Sequence, residues 1–185
     1  MGGFALEWLR NTFRLTDEEI AASLTRGHAD YLAGNWSLDD IPLFIPHLRG
    51  SGSPYKNRHT RGLFYGLGDT LNIDMLIASV SLGLTMEFAN CFACFNVPGT
   101  SALKVIGPAT QNPLWLQLKA DILQRPVEAI AFNEAVSVGA LLTAAPDIPP
   151  PQVTIAQRLL PNRARYHQLQ RYQHKWKSWY QLKLQ

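Results

Sequence analysis

The sequence predicts an α/β domain in which helices pack in layers against a sheet. Three observations support this fold class. Strand-like segments alternate with helical ones along the 185 residues, several intervening turns contain glycine, and 46% of the residues are apolar, enough for a sizeable core. A chain of this length suits one domain with a short appendage. We place the domain at residues 1–145, with a helical segment over residues 4–33, and the appendage at residues 146–185.

The first part of the chain is predicted to form two helices followed by two short strands. Thr16 has the character of an N-cap, because three acidic residues follow it in the first turn. Gly34 is a helix stop signal. The first strand contains two prolines and is expected to be irregular or at a sheet edge. The predicted bounds are residues 5–13 and 16–32 for the helices, and residues 41–48 and 61–67 for the strands.

The most apolar segment is predicted to be a buried helix over residues 72–95. It is long enough to raise the question of a membrane span. Glu87 and Asn90 lie within it, and a charged residue inside a bilayer is costly. We therefore predict a core helix and no membrane binding. The N-terminus shows no basic segment followed by an apolar stretch, so we expect no signal peptide and a cytoplasmic protein.

Cys91 and Cys94 form a C-x-x-C pair near the end of this predicted helix. The spacing is compatible with a redox or metal site, but no second cysteine pair completes a zinc site, and we predict no metal. Inside an apolar helix, a thiol behaves as a small hydrophobic group. We therefore expect both cysteines to pack in the core, in keeping with a reducing cytoplasm.

The second half is predicted to alternate strand and helix around a glycine turn. Residues 107–109 form that turn, Asn112 caps the next helix, and Pro113 occupies its first position. A helix that opens after such a turn offers backbone N–H groups and a positive dipole end to a phosphate or ribose. An ordinary strand-to-helix turn explains the same spacing. The predicted bounds are strands over residues 102–106 and 127–132, helices over residues 112–124 and 135–144, and a proline-rich break over residues 146–151.

The C-terminal segment is basic and aromatic. All 14 acidic residues precede residue 158, whereas 7 of the 17 basic ones lie at or beyond it. Aromatic residues recur there at three- and four-residue steps, which indicates an amphipathic helix docked on the domain, with solvated Lys, Arg, His167 and His174 outside. A nucleic-acid or membrane role is the alternative reading of the charge. We favour the docked helix and predict no nucleic acid as a partner.

No catalytic group is predicted within this chain. The five histidines are dispersed, and none has a nucleophile or carboxylate at the spacing of a known catalytic motif. Asp121 lies within the helix over residues 112–124, where a surface or capping role is expected. The sequence therefore indicates binding and packing chemistry rather than a complete active site.

Four segments, in order, resemble the C-terminal domain of the FGGY family of carbohydrate kinases, the group that contains glycerol, xylulose, ribulose and gluconate kinases. They cover nearly the whole chain, and the third is the most specific. The segments are GGFALEW at residues 2–8, PHLRGSGSPY and TRGLFYGL at residues 46–55 and 60–67, VIGPATQNPLW at residues 105–115, and the aromatic tail helix after Pro161.

The resemblance implies a ribonuclease H-like, actin-like ATPase fold with a C-terminal aromatic tail helix, and ATP held in a cleft between two domains. The family's Gly-Gly-Ala turn and a following Asn contact the nucleotide, and its helix-entry glycine and a polar residue before a Trp line the same site. In this sequence, Pro108 stands at the middle glycine of the turn and removes an N–H donor. Glu7 places a carboxylate near the phosphates. The matching positions are Gly3, Glu7, Gly107, Pro108, Ala109 and Asn112.

The resemblance also implies that the catalytic half of the kinase lies outside this chain. In the family, an N-terminal domain supplies the phosphate loop, most sugar contacts, the catalytic Asp and most contacts to Mg²⁺. We therefore expect the C-terminal half of an ATP-dependent sugar or polyol kinase, inactive alone, whose partner is the N-terminal kinase domain. The alternative is a non-catalytic nucleotide-sensing or partner-binding module derived from such a kinase. The apolar helix and aromatic tail are also compatible with a homodimer face.

Overall fold

The computed structural model describes residues 2–97, 99, 101–132 and 134–184, and its elements follow the predicted order with one strand added. Met1 and Gln185, the outer ends of the predicted two-part division, lie outside these residues. The helices are α1 (Gly2–Phe13), α2 (Asp17–Ala33), α3 (Ile73–Phe92), α4 (Pro113–Leu123), α5 (Ala135–Ala144) and α6 (Arg163–Leu184). The strands are β1 (Leu43–Ile45), β2 (Leu63–Tyr65), β3 (Leu103–Val105), β4 (Val127–Ile130) and β5 (Ile155–Leu159).

The strands form two small sheets. β1 and β2 make an antiparallel pair, and a second sheet has the order β3-β4-β5, with β3 parallel and β5 antiparallel to β4. One face of the second sheet packs Val127, Ala129 and Leu159 against Leu116 and Ala120 of α4. The layered arrangement predicted from alternating helices and strands is therefore a mixed α/β fold, with α4 between the larger sheet and the remaining helices.

The entry and exit of α2 follow the capping signals in the sequence. Thr16 accepts a hydrogen bond from the Glu19 N–H at 3.1 Å, and the Glu19 side chain accepts one from the Thr16 N–H at 2.8 Å, which completes a capping box. Gly34 ends the helix with φ at +80°, in the left-handed region that favours glycine. Both predicted signals are confirmed.

α3 is the central element, packed against α1, α2, α4, α6 and β1. By length and composition it could cross a membrane, but 72% of its most apolar window is buried inside this structure, as in the core helix of a globular domain. Its contact with β1 is unusually close. A Cβ at Gly83 would lie 2.2 Å from the Phe44 carbonyl oxygen, so a side chain at this position would collide with the β1 backbone.

α6 returns to the same place from the other end of the chain. Leu169, Tyr172, Trp176 and Tyr180 are at most 2% exposed. The polar tips of two of these rings bond to the backbone around β1, since Tyr172 Oη donates to the Pro42 carbonyl at 2.8 Å and Trp176 Nε1 donates to the Phe44 carbonyl at 2.7 Å. The aromatic stripe thus buries its apolar area without leaving those hydroxyl and indole groups unpaired.

β5 is the element that the sequence analysis did not predict. Four of its five residues are exposed, so the strand lacks the alternation of buried and exposed residues by which strands are recognised. It is stabilised by its pairing with β4, with Val127 opposite Leu159 and Glu128 opposite Arg158. Both β5 and α6 pack on elements of residues 1–145, and the division of the chain at residue 146 stays a prediction.

The expectation for the cysteines is wrong. α3 ends at Phe92 rather than at residue 95, and Cys94 lies beyond it as an exposed residue. Cys91, in the last turn, is partly buried, and its Sγ donates to the Ser53 carbonyl at 3.1 Å. Ala93, Cys94 and Phe95 are therefore exposed, because the helix ends at Phe92.

Candidate functional site

The turn at the head of α4 has the shape that the sequence predicts. Gly107 has φ at +76°, a conformation that side-chain-bearing residues rarely adopt, and nothing lies within 4 Å of the position of an added Cβ. Residues Pro108–Gln111 form one 3₁₀ turn, in which the Thr110 N–H and hydroxyl both donate to the Gly107 carbonyl, at 3.0 and 2.8 Å. Asn112 then caps α4, because its Oδ1 accepts the Trp115 N–H at 3.0 Å.

Few backbone donors remain at this turn for a ligand. Pro108 and Pro113 have no N–H, and the N–H groups of Thr110 and Trp115 are used within the turn. Among the described residues, the N–H groups of Ala109 and Leu114 make no backbone hydrogen bond, and Asn112 Nδ2 makes none either. The site therefore offers two backbone donors and one amide donor at the positive end of a helix, a set suited to phosphate or hydroxyl oxygens.

Gly3 and Glu7 lie on the exposed side of α1. They line a cleft of about 410 Å³ together with Leu6, Arg10, Asp17 and Ile20. The lining of this cleft includes none of the four residues at the Gly107 turn. The structure therefore places the six predicted site residues in two groups, one on α1 and one at the head of α4. The positions shared with the family define two surfaces.

The charge around Glu7 is balanced locally. Arg10 bonds to Asp17 at 2.7 Å, and this ion pair, with a smaller contribution from Glu7, raises the pKa of Arg10. Glu7 also lines a second cleft, of about 510 Å³, that contains Arg49. The Glu7 carboxylate thus shares one cleft with Arg10 and the other with Arg49, and these guanidinium groups reduce its repulsion of an anion.

Arg49 is a candidate that the sequence analysis did not select. Its guanidinium carbon lies 3.9 Å from the centre of the Phe4 ring, in the cleft that both residues share with Glu7. No carboxylate within ion-pair distance of Arg49 is found among residues 2–97, 99, 101–132 and 134–184. The sequence signal that could have identified Arg49 is its position three residues before Gly52, within the segment at residues 46–55 that resembles the family.

Lys119 is a second residue of chemical interest outside the predicted set. It is 4% exposed, and its Nζ lies 3.5 Å from the centre of the Trp115 ring and 5.3 Å from that of Phe88. Burial lowers the pKa of Lys119 to about 8. Within the part of the chain that the structure describes, no carboxylate pairs with it. The helical pattern in the sequence does not distinguish a buried lysine from a solvated one, because a single charged residue fits either face of the helix.

The expectation that Asp121 is a surface or capping residue is wrong. Asp121 is fully buried and accepts hydrogen bonds from Tyr31 Oη at 2.7 Å, Gln117 Nε2 at 2.8 Å and the Asn162 N–H at 2.7 Å. Arg165 supplies the nearest positive charge at 3.9 Å. Burial, together with the Asp121 carboxylate, raises the pKa of Tyr31, which keeps the phenol as a donor. This carboxylate joins α2, α4 and the start of α6 and has a structural role.

Comparison with known proteins agrees with the resemblance seen in the sequence. The model of the FGGY family of carbohydrate kinases, C-terminal domain, matches residues 1–146. A glycerol kinase of Rippkaea orientalis is 26% identical over 141 residues, which cover 75% of this chain and 27% of the relative. The chain therefore spans about a quarter of the length of that curated relative.

Solved structures with the same fold are also sugar kinases. A xylulose kinase from Rhodospirillum rubrum superposes with a TM-score of 0.75 at 22% identity, over 97% of this chain and 38% of the other. A Plasmodium falciparum glycerol kinase solved with ADP gives a TM-score of 0.66 at 14% identity, over 94% of this chain and 36% of the other. These likenesses place the chain in the actin-like ATPase fold of those kinases.

The fold, the turn at the head of α4 and the matched residues together define a domain of a carbohydrate kinase. The chain belongs to the FGGY family and corresponds to its C-terminal domain. The resemblance seen at residues 2–8, 46–55, 60–67 and 105–115 is thereby confirmed.

Proposed function

We propose that this chain supplies the nucleotide side of the interdomain cleft of an ATP-dependent sugar or polyol kinase. The observation that carries the proposal is the Gly107 turn, which directs free donors from the positive end of α4 in a domain of the FGGY family. Gly107 and Ala109 let the backbone approach the ribose and phosphates, and Asn112 Nδ2 donates to the ribose or base. Gly3 and Glu7, on α1, form a second surface, which we propose contacts the nucleotide as the matching positions of the family do.

Pro108 sets the strength of nucleotide binding in this proposal. A glycine at this position would supply an N–H that proline lacks and would relax the fixed φ of the turn. One hydrogen bond to an anionic ligand contributes about 1.5–3 kcal/mol. We therefore infer that the turn binds ATP more weakly than a glycine turn would.

The N-terminal kinase domain is the partner that we infer for the exposed face of α5. None of the ten residues of this helix is buried, and none is charged. Val136 is 86% exposed and Leu141 50% exposed, while Ile106, just before the Gly107 turn, is 48% exposed. An exposed apolar helix face of this kind is suited to burial against another domain. A cytoplasmic location stays a prediction.

Catalysis in this proposal requires groups that an N-terminal kinase domain supplies. Among the described residues, no cluster of three His, Cys, Asp or Glu side chains could hold a metal ion. Mg²⁺ does not fit the residues near the Gly107 turn, which carry no carboxylate, and we derive no step through it. This chain holds and orients the nucleotide, which is the positioning part of phosphoryl transfer. We expect no sugar phosphorylation by this chain alone.

The test is a titration of the 185-residue chain with ATP, followed by tryptophan fluorescence, since Asn112 bonds to the backbone of Trp115. Asn112→Ser keeps a capping oxygen but removes the Nδ2 donor, and we expect about 10-fold weaker binding. Pro108→Gly restores the missing N–H and should strengthen binding about 10- to 100-fold. If neither the native chain nor Pro108→Gly shows saturable binding, the proposed nucleotide role is wrong.

A non-catalytic nucleotide-sensing or partner-binding module is the second candidate. It is favoured by Pro108 and Glu7, which weaken the very contacts that phosphate binding requires. The two candidates separate when the domain is supplied with an N-terminal kinase domain of the family. Sugar-dependent phosphate transfer that depends on Asn112 supports the kinase, whereas a stable complex without transfer supports the module.

A further inference from the structure

The end of α3 carries two thiols beside an exposed loop. The Cys94 N–H donates to the Cys91 carbonyl at 3.1 Å, so residues 91–94 close one helical turn. Residues three apart in such a turn have Cα atoms about 5 Å apart, within the range that disulfides span. C-x-x-C pairs with this spacing are the common form of redox-active dithiols. Both cysteines are free, and both reach the surface.

Cys91 also holds the neighbouring loop. Its Sγ donates to the Ser53 carbonyl at 3.1 Å, a contact between positions 38 residues apart. The loop over residues 50–58 is closed on itself by Ser51, whose N–H donates to the Asn57 carbonyl and whose hydroxyl accepts the Asn57 N–H, both at 2.9 Å. The Cys91 thiol therefore links the folded loop to α3 by a hydrogen bond, and oxidation removes the proton that this bond requires.

We propose that Cys91 and Cys94 form a redox-sensitive site, in which oxidation to an intramolecular disulfide releases the loop over residues 50–58 from α3. The oxidant is a small-molecule disulfide such as oxidised glutathione. The exposed Cys94 thiolate attacks it, forms a mixed disulfide and expels one thiolate. The Cys91 thiolate then attacks the Cys94 sulfur and expels the second. Two thiols are oxidised, the oxidant is reduced to two thiols, and the two protons are released to solvent or to those thiols.

The environment of the pair supports this order of attack. Burial, and to a lesser extent Glu87 and Cys94, raises the pKa of the Cys91 thiol, so Cys91 is the less ready nucleophile and the better resolving thiol. Cys94 is exposed to solvent and can meet the oxidant first. After oxidation, Cys91 has no S–H to donate, and the Ser53 carbonyl loses that bond.

Trypsin cleavage within the loop measures its release from α3, because Lys56 and Arg58 are exposed trypsin sites. The native chain is incubated with oxidised glutathione, and its intact mass is measured. Limited trypsin digestion then gives cleavage rates after Lys56 and Arg58, with cleavage after Arg14 as an internal reference. We expect a mass loss of two hydrogen atoms and loop cleavage about 2- to 10-fold faster, the effect of one lost hydrogen bond.

Three variants separate disulfide formation from loop release. Cys91→Ala lacks the donor and should show the fast loop cleavage without oxidant. Cys91→Ser keeps a hydroxyl donor and cannot form the disulfide, so its cleavage rate should stay low under oxidant. Cys94→Ser keeps the Cys91 bond and should behave in the same way. A stable glutathione adduct without an intramolecular disulfide overturns the proposal, as does a disulfide that leaves the loop cleavage rate unchanged.

Discussion

At the scale of single residues, buried charged side chains affect the stability of the domain more than the residues selected from motifs do. Asp121 is fully buried and accepts three hydrogen bonds, and Lys119 is buried with aromatic rings as its nearest partners. Both lie on α4, seven and nine residues after its cap Asn112. The helix that presents Asn112 therefore carries a buried carboxylate, Asp121, whose hydrogen bonds are satisfied. It also carries a buried ammonium, Lys119, that has no carboxylate partner among the described residues.

Replacing Asp121 should destabilise the whole domain. In Asp121→Asn, an amide NH₂ replaces either Oδ2, which accepts from Tyr31, or Oδ1, which accepts from both Gln117 and the Asn162 N–H. Arg165 also loses its negative neighbour. We expect the free energy of unfolding to fall by about 2–4 kcal/mol, measured by urea denaturation.

The matched control is Asp39→Asn, which removes an exposed carboxylate that pairs with Lys175 on the surface. Its unfolding midpoint should be unchanged, because exposed ion pairs contribute little. Equal midpoints for Asp121→Asn and the native chain would show that the buried network is not stabilising.

Lys119 should give the domain a dependence of stability on pH. Its folded pKa, about 8, lies below the ordinary value of 10.5, so between these values the unfolded chain binds more protons than the folded one. Stability from this group therefore rises as pH increases from about 8 towards 10.5. Relative to Lys119→Met, the native chain should gain about 2 kcal/mol between pH 7 and pH 9.5, measured by urea denaturation at each pH. A constant difference between the two proteins would mean that the ammonium is well solvated.

The sequence could locate Asn112 but not the role of Asp121. An Asn followed by Pro at a helix start acts through its own neighbours, so local spacing reveals it. Asp121 depends on Tyr31, which is 90 residues away, and on the backbone of Asn162. Such partners are defined only when the helices pack, and periodicity alone assigns a lone carboxylate to the surface.

At the scale of elements, α3 approaches the backbone of β1 closely at Gly83. Gly83→Ala would place a Cβ 2.2 Å from the Phe44 carbonyl oxygen, and the backbone must move. We expect a loss of about 2 kcal/mol or more in the free energy of unfolding. Thermal unfolding followed by circular dichroism measures it.

Gly139 provides the matched control, because it is also a glycine inside a helix but has nothing within 4 Å of an added Cβ. Gly139→Ala should raise the stability of α5 and shift the unfolding free energy by about +0.5 kcal/mol. If both substitutions had the same sign, the close approach at Gly83 would not be the cause.

Most elements could be predicted because their signals are local. The capping box at Thr16, the stop at Gly34 and the Asn112 cap all lie within a few residues of the helix ends that they define. β5 could not be predicted, because four of its five residues are exposed and its stability comes from β4, about 30 residues earlier. The end of α3 was placed too late, since the apolar residues after Phe92 continue the pattern of a buried helix outside the core.

At the scale of the whole molecule, the exposed apolar face of α5 should govern association. Alone, the chain leaves Val136 and Leu141 in water, and we expect reversible self-association at high concentration. The double substitution Val136→Ser with Leu141→Ser should lower the weight-average mass measured by analytical ultracentrifugation. It should not change the unfolding midpoint, because neither side chain is buried. A mass that is unaffected by these substitutions would place any dimer face elsewhere.

The C-terminal helix α6 docks on β1, and this has a consequence for biosynthesis. Tyr172 and Trp176 bond to carbonyls 130 and 132 residues earlier. A ribosome that adds about 5–20 residues per second needs several seconds to supply those partners. Until then, the emerging strand keeps its carbonyls and apolar side chains open to wrong pairings. Slow codons before residue 163 should therefore lower soluble yield, and a chaperone that shields nascent strands should restore it.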